Sequence, residues 1–139
     1  MEIHHDRIRR KLEDIAKALK RLERLMEMGR ESFLSDEDSQ DIARSRLLTA
    51  IEAALNICYH LAAKRLNCVP EDYAACFLTL GEASLIDSGL AERLSRMAQF
   101  RNRLVHLYWD VDYEQVYDIL LKDLGDLERF SAAVADIIE

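Results

Sequence analysis

Six apolar side chains, Ile8, Leu12, Ile15, Leu19, Leu22 and Met26, recur at gaps of four and three. That spacing gathers them along one side of an α-helix, whereas a strand would scatter them over both faces. A helix carrying the stripe as far as Gly29, a plausible stop, is roughly 40 Å long at about 1.5 Å per residue. No single short neighbour covers such a stripe, so the chain must supply a long partner helix or meet a second subunit. A coiled-coil dimer is the alternative, but only about three heptads are present.

The rest of the chain continues the helical pattern. The run "SDEDSQD" places Ser and acidic residues where a helix N-terminus favours them. The second helix then runs from about Asp38 to Leu66. Its apolar positions, among them Leu47, Leu48, Ile51, Ala54, Leu55, Cys58 and Leu61, cover more than one face, which marks it as the central helix. Asn67 and Pro70 close it and open a third helix over about Glu71 to Ser84. "DSG" at 87 to 89 begins a fourth. A fifth starts near Asp112, where Asp112 and Gln115 have capping-box spacing and Val111 and Val116 can form a hydrophobic staple. Its stripe continues through Leu120, Leu124, Leu127, Ser131, Val134 and Ile138.

Only one Pro and four Gly stand among 139 residues, half of them hydrophobic, so turn-rich β folds and disorder are both disfavoured. One compact all-α domain over residues 1–139, of about five helices, is expected. The charged opening "MEIHHDRIRRKLEDI" has no apolar core of the signal-peptide kind. The longest stretch without charge, Ala53 to Ala63, is far short of the roughly 20 apolar residues that span a bilayer. A soluble, cytoplasmic protein without a membrane partner is the expectation. Cys58, Cys68 and Cys76 are odd in number and lack C-x-x-C spacing, as suits reduced thiols in or near the core.

Net charge is −7, which argues against a broad nucleic-acid-binding surface. A local basic segment stands out all the same. From Glu92 to His106, four arginines (93, 96, 101 and 103) face one glutamate, a balance of +3, while Asp110 to Glu128 is strongly acidic.

Within the basic segment lies "FRNRLVHLYWD", residues 100 to 110, with two arginines, an asparagine, a histidine, a tyrosine and a tryptophan. At 100° per residue Leu94, Met97, Ala98, Leu104, Val105 and Tyr108 share one side of the fourth helix, and Arg101 falls among them. A guanidinium there must reach a carboxylate from another helix, the bundle rim, or a groove shared with another molecule. His106 is rotated by about 140° from Arg101 on a regular helix, and Asn102 lies only about 40° from His106. Arg101 and His106 can converge on one phosphate if the helix loosens or if a second subunit closes the site. By periodicity alone His106 is a surface or helix-end residue and Tyr108 a core aromatic; His4, His5 and His60 lack any ligand pattern and read as surface histidines. Trp109 reads as packing or interface.

The run Arg-Asn-x-Leu-Val-His-x-Tyr at 101 to 108 resembles the motif of HEPN-superfamily ribonuclease toxins of the HepT-like group. The resemblance extends from about residue 5 to 135, through "RSRLLTAIEAALNICYHLA", "VPEDYAACFLTLGEASLIDSGLAERLSRMAQF" and "VDYEQVYDILLKDLGDLERF". Departures lie outside the motif: Gln99 stands where a small residue, often Gly, is expected, and Thr49 where Gln is frequent.

The resemblance implies an up-and-down helical bundle, a homodimer, and an active groove built from the motifs of both subunits. It also implies a partner, a minimal nucleotidyltransferase antitoxin that places AMP on Tyr108. Metal-independent RNA cleavage needs the 2′-hydroxyl deprotonated, the leaving 5′-oxygen protonated and charge on phosphorus stabilised. His106 suits the proton transfers and Arg101, with its fixed fork of donors, the phosphate. Asn102 could orient His106 or donate to a phosphate oxygen. A two-fold dimer supplies two such histidines, one as base and one as acid. No metal or cofactor is expected. The competing expectation is a non-catalytic helical partner of a nucleotidyltransferase, presenting nucleotide or substrate to it; a purely structural bundle would leave Arg101 and His106 replaceable.

Overall fold

The structure is a computed structural model that describes residues 3–139. Seven α-helices follow one another: α1 (His5–Glu27), α2 (Arg30–Leu34), α3 (Glu37–Leu66), α4 (Tyr73–Glu82), α5 (Ser88–His106), α6 (Tyr113–Lys122) and α7 (Leu124–Ile138). A 3-10 turn, Tyr108–Asp110, joins α5 to α6, and no strand occurs among the described residues. The all-α expectation holds, and the count of about five becomes seven.

The long partner demanded by α1 is α3, and these two helices form the most extensive pairing in the molecule. Ile8, Ile15, Leu19 and Leu22 of the stripe are buried, with Leu12 and Met26 half-buried at its margin. Each fully buried Leu or Ile contributes about 1.5–3 kcal/mol relative to an exposed one. The 30-residue α3 is the central helix: Leu47, Ala50, Ile51, Ala54, Ile57, Cys58 and Leu61 are buried on several of its faces. Asn67 ends it in the left-handed conformation at φ 51°, which Asn tolerates at a helix terminus. Cys58 and Cys76 are buried and Cys68 partly so, all three as free thiols.

Two departures from the sequence expectation have local causes. Gly29 stops α1 as anticipated but, at φ 90°, also starts α2. That short helix is held by Phe33, fully buried against the Tyr117 ring at 5.3 Å. The Tyr117 hydroxyl in turn donates to the Met26 carbonyl at 2.6 Å, tying α6 to the end of α1. The single last helix is divided at Asp123. Asp123 and Gly125, both poor helix formers, flank Leu124 there. The buried Asp126 carboxylate fixes the new start by accepting from Arg93 Nε at 3.0 Å and Arg129 Nη1 at 3.1 Å.

The hairpin of α4 and α5 carries the sequence motif. Asp72 caps α4 by accepting from the Ala75 amide at 2.8 Å, so this helix is shorter at both ends than Glu71 to Ser84. Asp87 caps α5 by accepting from the Leu90 amide at 3.0 Å. Gly81 sets how closely the two helices approach: a Cβ there would lie 2.6 Å from Ala91 Cβ. The Asp112 cap also forms, accepting from the amides of Glu114 at 3.0 Å and Gln115 at 3.4 Å.

Candidate active site

Arg101 lies on the buried side of α5, as its place among Leu94, Met97, Ala98 and Leu104 requires. Its side chain is only 14% exposed and meets three groups. Glu52 of α3 places Oε2 3.6 Å from Nη2, the Tyr73 ring of α4 lies under the guanidinium at 4.7 Å, and Asn102 Oδ1 accepts from Nη1 at 3.3 Å. The carboxylate from another helix is therefore present. Yet Arg101 Nε is buried with no hydrogen-bond partner, so the donor fork is only partly used.

Arg101 also opens onto a polar groove of about 460 Å³ lined by Arg7, Glu52, Asn56, Tyr59, His60 and Tyr73, among others. Tyr59 and Tyr73, edge-to-face with ring centroids 6.0 Å apart, border a second groove of about 450 Å³ that contains Gln99 and Asn102. Arg7 donates to Asn56 Oδ1 at 3.2 Å. Burial pushes the Tyr59 phenol above its ordinary pKa and keeps it a protonated donor. The arrangement offers guanidinium donors for phosphate, aromatic rings for bases and three carboxylates, Glu52, Glu71 and Asp72, that can accept from base amino groups.

His60 corrects the sequence reading. It is 8% exposed, not a surface residue, and its Nε2 accepts from the His4 backbone amide at 3.1 Å. Burial, with Arg7, His4 and Lys64 nearby, lowers its pKa.

The motif residues divide into two groups. Arg101 and Asn102 face the grooves. His106 is the last residue of α5, exposed, and lines neither groove. The helix stays regular through His106 and loosens only at Leu107, whose φ of −127° breaks the helical pattern. Arg101 and His106 thus diverge by about 140° within one chain. Asn102 is bonded to Arg101, not to His106. Tyr108 does not continue the apolar stripe: the turn swings it outward to 60% exposure. Trp109 beside it is 71% exposed, so neither ring is packed into the core.

Glu52, Tyr73, Arg7 and Asn56 were not singled out in the sequence. Only Glu52 carried a signal, as the one charged side chain between Arg46 and Lys64 in the central helix.

A family model described as HepT-like ribonuclease matches residues 15–134. The chain belongs to this family. An mRNA nuclease HepT from Shewanella oneidensis is 27% identical over 126 residues, covering 91% of this chain and 94% of the relative. A tRNA nuclease HepT from Aphanizomenon flos-aquae is 29% identical over 110 residues, 79% of this chain and 75% of its own. Among solved structures, the tri-AMPylated Shewanella oneidensis HEPN toxin in complex with MNT antitoxin superposes with a TM-score of 0.87 at 26% identity, over 98% of this chain and 99% of that one. The superposition covers nearly the whole chain, so it includes the hairpin that bears the motif.

Proposed function

We propose that this protein is the toxin of a toxin–antitoxin pair, an endoribonuclease that needs no metal and uses the RNA 2′-hydroxyl as nucleophile. The observation that carries this reading is a helix pairing a partly unsatisfied Arg101 with an exposed terminal His106, in a fold and family whose named members are nucleases. Arg101 binds the scissile phosphate. His106 transfers protons, and with two copies facing each other one imidazole takes the 2′-hydroxyl proton while the other protonates the 5′-oxygen. Asn102, its Oδ1 engaged by Arg101, keeps its amide N–H groups for a phosphate oxygen.

Control falls on Tyr108. A phenol that is 60% exposed two residues beyond His106 is accessible to a partner nucleotidyltransferase, and the AMPylated relative bound to an MNT antitoxin supports this partner and chemistry. An adduct there adds negative charge and bulk where RNA phosphate must sit.

The test is cleavage of RNA in EDTA, with the termini identified by mass. Full activity with 2′,3′-cyclic phosphate ends is expected, and His106→Ala should lose all detectable cleavage while its circular dichroism stays helical. Retained cleavage by that variant sinks the assignment. The net charge of −7 favours a second reading, a non-catalytic companion presenting nucleotide to the transferase. Growth arrest that depends on His106 separates the two.

A further inference from the structure

Trp109 is the one large aromatic in the motif region left without a role. Indole is among the most highly buried side chains in folded proteins, yet here it is 71% exposed. Its setting is ordered. The 3-10 turn is closed by the Asp110 amide donating to the Leu107 carbonyl at 2.8 Å, and the indole stands edge-to-face with Tyr108, centroids 5.3 Å apart and planes at 81°. The indole therefore rests against the Tyr108 ring on a closed turn and is open to solvent.

The surroundings indicate what it meets. Asn102, Arg103, His106 and Asp110 are all exposed around or beside the turn, and Leu107 is the only aliphatic side chain among them with substantial exposure. The proposed second copy and transferase reach His106 and Tyr108 close by, but the centre of a protein interface is apolar and depleted of charge, unlike the setting of Trp109 itself. Open aromatic rings next to cationic and amide donors instead match single-stranded nucleic acid, whose bases stack on the rings while its phosphates meet the donors.

We infer that Trp109 is a base-stacking platform that holds an unpaired RNA base next to the phosphate attacked at His106. Stacking makes no use of a base's hydrogen-bonding edge, so Trp109 selects for strand state, unpaired over paired, rather than for one base. This assignment rests on the ribonuclease reading and adds to it the residue that holds the base beside the cleaved phosphate.

The chain has a single tryptophan, so its fluorescence reports this site alone. Wild-type protein is titrated with an end-labelled, single-stranded 2′-O-methyl oligoribonucleotide, which resists 2′-hydroxyl attack. Binding is followed by label anisotropy and stacking by tryptophan emission. Quenching with the same midpoint as the anisotropy is expected, with little quenching by the duplex form. Trp109→Ala should bind roughly tenfold or more weakly and Trp109→Phe should recover most of the loss, as stacking contributions per base imply. Binding without quenching, equal quenching by duplex, or a blue shift on raising protein concentration without RNA each overturns the inference, the last by placing a second copy on the ring. Cleavage of unmodified RNA by the same preparation keeps the failures apart. Cleavage without quenching removes only the Trp109 role, whereas neither cleavage nor binding removes the ribonuclease reading with it.

Discussion

In the proposed mechanism Arg101 is shared between structure and chemistry. Glu52 and Tyr73 hold it, but at 3.6 Å the ion pair is loose and Glu52 is half exposed, so phosphate can compete for the guanidinium. What phosphate gains is a planar pair of donors, which an ammonium cannot reproduce. Arg101→Lys should therefore fold with an unchanged thermal midpoint within a few degrees and cleave roughly 10²-fold more slowly, the scale of losing one charge-stabilising donor. Wild-type rates in this variant would reduce Arg101 to an ion-pair residue. At Tyr108 the outward orientation makes the phenol dispensable to the core. Tyr108→Phe should fold like wild type, take up no AMP at this position when mixed with the partner transferase and ATP, and keep its cleavage after that treatment. Equal silencing of both proteins with no adduct on either would mean control by docking alone.

At the scale of the elements, periodicity made the long helices legible because each has a stripe that must be buried. It could not see α2, five residues long with a single buried side chain, Phe33, and an Arg30 paired with Asp118 of a distant helix. Nor could it see the break at Asp123, because Leu120, Leu124 and Leu127 keep helical spacing across it while the anchor, Asp126 bonded to Arg93, comes from another helix. The same contact explains why the basic segment is less basic than it reads: Arg93 is spent on an acidic residue 33 positions away. His60 was misread for a related reason, since its partner is a backbone amide at His4 that no motif announces. An Nε2 that accepts a hydrogen bond must be unprotonated. With its pKa lowered in the fold, His60 supports stability fully above the unfolded value of about 6.5, and that support is lost as pH falls through the lower folded value. Thermal midpoints should drop from pH 7.5 to pH 5, and His60→Gln should flatten that dependence. An identical slope in both proteins would assign the acid sensitivity elsewhere.

For the whole molecule, the decisive fact is the angle between two side chains. A regular α5 turns Arg101 and His106 about 140° apart, and α5 carries no second histidine with which to divide the acid and base roles. The α1 stripe is already satisfied by α3, so self-association is not needed for the core. The proposed mechanism gives it a use: two copies related by a two-fold axis can bring both motifs to one groove, so that the proposed site exists once per dimer. That arrangement has a stoichiometric signature. If wild type and His106→Ala chains are refolded together in equal amounts and pair at random, only dimers with two intact histidines are fully active, and activity should fall to about a quarter of that of the same total wild-type protein. Independent sites in each chain would leave about half. Light scattering at micromolar concentration supplies the companion measurement and should give twice the chain mass of 16.1 kDa. A quarter with a dimer mass supports the shared groove. Half, or a monomer that still cleaves, would overturn the shared groove and place Arg101 and His106 at one phosphate within a single chain.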